Sequence, residues 1–265
     1  MGSNQPWRGY MPPFKLWGNL YFVGTKPAST HIIDTGDGLI MLDSGYQHSL
    51  YLVVQNMHLL GLDPMKLKYI VHTHGHVDHC GATRALVEMT GAKTFLGEQD
   101  RDYVNGKLDL SWAKELGLHL ETFEPDVLVK DGDTICLGNT EIKAVATPGH
   151  TPGAMSYLFD VYCGDRTLTA GLHGGAGMNS MKKEFLDRNG LSYDCRKDFL
   201  LAMDRLKTHK VDIFLGNHVE QNRTEEKYQQ ILAGDGEAFV DPDGWGEFAE
   251  RCKKRLYVLM EKEAN

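Results

Sequence analysis

Four histidines and an aspartate fall within ten residues, Val71 to Cys80, in the run VHTHGHVDHC. Imidazole nitrogens and carboxylate oxygens are both ligands for zinc. In an extended segment side chains alternate, so His74 and His76 point the same way and make half of a tetrahedral site. Asp78 and His79 follow at the predicted start of a helix. An aspartate there is also a natural N-cap, and for Asp78 taken alone that reading stays open. It does not account for three neighbouring histidines, because buried polar groups each need a partner. His72 shares the parity of His74 and His76 but lies earlier, and reads as a strand residue beside the ligands.

Further ligands must come from elsewhere, and two places suit. TPGHTPG sets His150 in a Pro/Gly-bracketed loop after the apolar run IKAVA. Such a loop holds a side chain in one orientation, since proline fixes φ and glycine permits unusual φ. VDIFLGNHVEQN sets His218 just beyond another apolar run. All three motifs therefore sit where a predicted strand ends.

The elements that position them follow from periodicity. NLYFVG, THIIDTG and GLIMLDSG read as strands joined by tight turns. SLYLVVQNMHLLG repeats apolar residues every three to four positions and reads as a helix ending at Gly61. KLKYIV is a strand running into the histidines, GATRALVEMTGA a helix, and KTFLGEQ a strand. The stretch from Asp126 to Ala146 reads as one meander with a turn at Asp131–Gly132, continued by AMSYLFDV and RTLTAG. Helices are predicted over 194–208, 224–232 and 245–262. In the last, Trp245, Phe248, Cys252, Leu256 and Leu259 fall on one core-facing stripe. Strands first and helices after, twice over, predict two sheet-plus-helix halves with helices outside.

Composition sets bounds. The 265 residues suffice for a substantial core. No apolar run reaches the roughly 20 residues of a membrane span. A net charge of −8 without a basic block weighs against nucleic acid. Five scattered cysteines without CxxC pairing argue against a disulfide framework and for a reducing compartment. The N-terminus MGSNQPWRGYMPP lacks a signal-peptide stretch, which leaves open both the cytoplasm and an exported location with the leader removed.

With HGHVDH, IMLDSG, TPGHTPG and GNH in place, the chain resembles the metallo-β-lactamase superfamily over roughly Asn19 to His218. The resemblance implies an α/β fold, an αββα sandwich of two mainly antiparallel or mixed sheets with helices on both outer faces, as one domain over residues 1–265. It implies two zinc ions, the first held by His74, His76 and His150 and the second by Asp78, His79 and His218. Many members add a bridging aspartate; here Gly171 stands near its place in RTLTAGLHGGAGMN, and no cysteine occurs there. That ligand set is most similar to the third subclass of the zinc β-lactamases. The chain departs from that subclass at Gly171-Leu172-His173, where serines help hold the substrate carboxylate, and at Lys210, where some members have cysteine. His173 and Asn179 are the remaining candidates for anchoring substrate.

The implied reaction is hydrolysis of a β-lactam amide by zinc-bound hydroxide, since two zinc ions lower the pKa of a shared water toward ~7. Asp78 would ligate and also orient the hydroxide. Asp43, ending IMLDSG, is either a turn residue or the group that holds a ligand imidazole in one tautomer. A thioester or lactone hydrolase on the same scaffold is the alternative, followed by a mononuclear iron oxygenase and a non-catalytic zinc-binding or sensing domain. The expected partner is a small molecule, with neither nucleic acid nor membrane.

Overall fold

Near-continuous apolar runs such as LIML give the N-terminal strands two apolar faces, and both are covered. In the computed structural model, which describes residues 5–264, seven strands form a first sheet in chain order. They are β1 (Phe14–Trp17), β2 (Leu20–Phe22), β3 (His31–Asp34), β4 (Leu39–Leu42), β5 (Leu67–Val71), β6 (Lys93–Gly97) and β7 (Val127–Val129). β1 to β4 pair antiparallel; β4 to β7 pair parallel, which requires crossover connections. α1 (Leu50–Leu59) supplies one, and α2 (Val77–Cys80) with α3 (Thr83–Thr90) the next; α4 (Arg101–Val104) follows β6.

The second sheet holds β8 (Thr134–Leu137), β9 (Thr140–Ala146), β10 (Met155–Cys163), β11 (Arg166–Leu172) and β12 (Ile213–Leu215) in the order β12-β11-β10-β9-β8. Its helices are α5 (Lys183–Asn189), α6 (Asp194–Leu206), α7 (Thr224–Leu232) and α8 (Gly244–Ala264). Side-chain parity divides the core into layers. Phe22, Ile33, Ile40 and Leu42 meet Ile142, Tyr157, Phe159 and Leu215 between the sheets. One residue along, Ile32 and Met41 turn outward to Val53, Met57 and Leu86 of α1 and α3. Leu158 and Phe214 turn the opposite way to Phe199 and Met203 of α6 and to Trp245, Phe248, Cys252 and Leu256 of α8. The result is the expected αββα sandwich.

Two predicted elements differ. Val127–Val129, read as the start of the second-half meander, pairs parallel with β6 and closes the first sheet; the chain changes sheet at the Asp131–Gly132 turn instead. A three-residue strand carries too little periodicity to reveal its partner. α5 lies in a stretch with no strong apolar repeat and was not anticipated. Among the described residues no helix is long and apolar enough to cross a membrane.

Candidate metal centre

The strand β5 stops at Val71, and residues 72–76 continue as irregular backbone into the short α2. His74 and His76 nonetheless face each other, with ring centroids 4.7 Å apart. The loop between β9 and β10 brings in His150, 4.6 Å from each of those rings. Its Nε2 lies 3.1 Å from His74 Nε2. Ligand atoms of these three residues all lie within 4.8 Å of one another, as do those of His74, Asp78 and His79. His74 thus belongs to both groups. His218, after β12, approaches through Asp78, with Nε2 3.6 Å from Oδ2, and its ring is 5.1 Å from that of His79. All six sequence-predicted metal ligands therefore converge.

The protons on these rings are set from behind. His150 Nδ1 lies 2.8 Å from the Gly177 carbonyl and His218 Nδ1 2.6 Å from the Pro27 carbonyl. A carbonyl only accepts, so each Nδ1 carries the proton and each Nε2 the lone pair. His79 Nδ1 donates to Asp43 Oδ2 at 2.8 Å. Asp43 Oδ2 also accepts from the Thr73 hydroxyl at 2.8 Å, and Oδ1 from the Thr73 N–H at 2.7 Å. With its own proton committed to Asp43, that hydroxyl accepts from His74 Nδ1 at 3.0 Å. Asp43 thus orients two imidazoles, one of them through Thr73. Its backbone is left-handed, with φ 56°.

Burial holds His74 and His76 well below the usual imidazole range, and neighbouring imidazoles add to the effect. Burial likewise pushes His150 down to about 4. These rings are neutral at physiological pH, the form in which imidazole can bind a metal. His79 goes the other way, to about 10, because Asp78 and Asp43 outweigh its burial. Asp78 stays ionised: burial opposes this, but His79 and His218 beside it prevail. Meanwhile His79 Nε2 is buried with no hydrogen-bond partner, although Asp78 Oδ2 is 3.2 Å away. An orphaned ring nitrogen beside a carboxylate, in a setting that favours positive charge there, fits a metal cation.

Other sequence expectations meet different fates. Asp78 is not a helix cap: His76 occupies the N-cap position of α2, and no side chain caps it. His72 points away from the cluster, with Nδ1 3.0 Å from the Phe95 carbonyl and Nε2 2.7 Å from the Thr83 hydroxyl. His173 cannot anchor substrate. It is fully buried against Phe248, its Nε2 meets Gln221 Oε1 at 2.8 Å and its Nδ1 accepts from Gly175 N–H. Asn179 is exposed, and its neighbour Ser180 lines the cleft described below. Lys210 is exposed ahead of β12. A Cβ at Gly171 would lie 2.9 Å from Val211 Cγ2 and 3.3 Å from Leu158 Cδ2, on the helix side of the sheet. Its neighbours Ala170 and Leu172 turn inward into the inter-sheet core, and no acid enters from this strand.

Sequence reasoning missed two buried residues: Thr73, whose hydroxyl links Asp43 to His74, and Asp100, which accepts from the Gly75 N–H. Thr73 lay in plain view between two histidines, but no spacing rule selects it. Beside His76 and His150 opens a cleft of about 220 Å³ walled by Tyr103, Leu110, Phe185 and Leu191. Asp194 and Asp198 also line it, and no lysine or arginine does.

The chain belongs to the metallo-β-lactamase superfamily, whose sequence profile matches residues 23–162. It is a metallo-hydrolase of that fold with a histidine-rich metal site. Among solved structures it is similar to a variant of the FEZ-1 metallo-β-lactamase of Legionella gormanii, at 26% identity and TM-score 0.89 with both chains fully covered. It is also similar to BJP-1, a subclass B3 metallo-β-lactamase of Bradyrhizobium japonicum, at 26% identity and TM-score 0.86 over 98% of this chain and 97% of that one. In sequence it is 28% identical to the hydroxyacylglutathione hydrolase of Francisella tularensis subsp. novicida over 50% of this chain and 52% of that protein. Only about half of that relative's length is therefore spanned.

Proposed function

We propose that the protein is a two-zinc hydrolase that opens the amide of β-lactam rings or a closely related cyclic amide or ester. One observation carries the reading: the converging donor set is His74, His76 and His150 beside Asp78, His79 and His218, with no acid supplied by β11. Full-length likeness to subclass B3 β-lactamases supports it.

Zinc bound there supplies activation of water and polarisation of the scissile carbonyl. The chain's own work is positional. Asp43, Gly177 and Pro27 hold four imidazoles in the tautomer that aims Nε2 inward, directly or through Thr73. Asp78, with its side chain 17% exposed, presents an ionised carboxylate that accepts a hydrogen bond from the attacking water and orients it. The cleft beside His76 and His150 receives the substrate's apolar substituent. No lysine or arginine lines that cleft to pair with the substrate's carboxylate.

A thioester hydrolase is the second reading, favoured by the sequence match to a hydroxyacylglutathione hydrolase. A panel with zinc occupancy measured decides: a chromogenic cephalosporin, a glutathione thioester and a lactone. Turnover of the cephalosporin alone supports β-lactam opening. Turnover confined to the thioester or the lactone overturns it.

A further inference from the structure

The two loops that carry His74, His76 and His150 come from different sheets, and one carboxylate spans the gap between them. Asp100 ends the tight turn after β6 and is fully buried. Its Oδ2 accepts from the Gly75 N–H at 2.8 Å and from the Thr151 hydroxyl at 2.6 Å. Its Oδ1 accepts from the Gly153 N–H at 2.7 Å. Gly75 separates His74 from His76, and Thr151 follows His150 directly. The approach is close enough to exclude side chains at both glycines. A Cβ at Gly153 would lie 2.4 Å from Asp100 N and 2.7 Å from Oδ1, and one at Gly75 2.9 Å from Tyr103 Cβ.

We propose that Asp100 is a positioning residue for the metal centre, latching the His74–His76 loop to the His150 loop so that the three imidazoles converge before a metal arrives. The inference rests on the reading that these histidines hold one metal. The physical basis is preorganisation: donors already in place do not lose conformational freedom on binding. A different carboxylate provides a contrast. Asp126 accepts from Thr94 N–H and hydroxyl, both at 2.8 Å, but it joins neighbouring strands and touches no ligand loop.

The test is a zinc titration of the metal-free full chain against a chromophoric chelator, with the melting temperature of each metal-free variant recorded. Asp100→Asn places an amide N–H₂ against an N–H or O–H donor, and zinc affinity is expected to fall about 10–100-fold. Thr151→Val loses one strut and weakens zinc binding, whereas Thr151→Ser keeps the hydroxyl and restores it. Asp126→Asn lowers the melting temperature while leaving zinc affinity at the wild-type value. Cobalt(II) loaded in place of zinc gives an altered d–d absorption band in Asp100→Asn and an unaltered one in Asp126→Asn. Wild-type zinc affinity in Asp100→Asn, equal affinity in the two Thr151 variants, or an equal loss in Asp126→Asn overturns the latch. Should Asp100→Asn fail to fold, the Thr151 pair decides. A wild-type chain that binds no zinc overturns the metal-centre reading, and the latch with it.

Discussion

Asp43→Asn separates the orientation of imidazoles from their mere presence. The exchange keeps shape and removes charge, and asparagine tolerates the left-handed backbone found at this position (φ 56°). In the native site three donors converge on the carboxylate: Thr73 N–H on Oδ1, and the Thr73 hydroxyl and His79 Nδ1–H on Oδ2. The amide can face them in two ways. With its oxygen toward His79, its N–H₂ opposes the Thr73 N–H, and a buried donor is left unpaired at a cost of about 1–3 kcal/mol. With its oxygen toward the Thr73 N–H, the N–H₂ meets His79, whose Nδ1 must then accept. The proton moves to Nε2, the atom that faces Asp78 and is otherwise without a partner. Either outcome works against a cation between Asp78, His79 and His218, and loss of such an orienting partner typically costs 10–100-fold in metal affinity. The assay is zinc per chain after dialysis against graded chelator. Retention falling from about two toward one, with the chain still folded, is expected. Two zinc ions held as tightly as in the wild type would refute the tautomer argument.

Three further outcomes are open to measurement. His150→Ala should lose metal and turnover while circular dichroism stays native; unchanged turnover removes His150 from the ligand set. Gly175 has φ 145°, and a Cβ there would lie 2.4 Å from His150 Cδ2. Gly175→Ala should therefore displace that ring, lowering activity at least tenfold against a stability loss of ~1–3 kcal/mol seen by urea melts. His31 is buried, its Nδ1 has no partner, and burial lowers its pKa to about 4 against a weaker opposing effect of Asp43. Because the unfolded chain takes up this proton first, stability present above pH ~6.5 is lost as pH falls toward ~4, by roughly 3 kcal/mol. His31→Leu should flatten that part of the pH profile, and an unchanged acid slope would show that other groups dominate it.

Much of the site was legible because its ligands sit in local motifs at strand ends, where side chains leave the sheet together. HGHVDH, the TPGHTPG loop and GNH each bring a rigid turn with them, so their convergence followed once the two halves packed as predicted. What could not be read depends on through-space partners with no sequence spacing. Asp100 meets residues 25 and 51–53 positions away. The carbonyls of Gly177 and Pro27 that set tautomers belong to backbone, which no residue type announces. His173 looked available because its Gly-rich loop reads as open, yet α8 packs Phe248 against it with ring centroids 4.4 Å apart. Which way residue 171 faces could not be read, because a glycine in a strand shows no parity of its own; its neighbours Ala170 and Leu172, both in the inter-sheet core, reveal it.

Zinc-dependent opening of a β-lactam by this donor set is decided by cephalosporin turnover measured against zinc per chain. Chelator-treated protein should show no turnover, and activity should rise with zinc to a plateau near two per chain. Full zinc occupancy without any ring opening would contradict it.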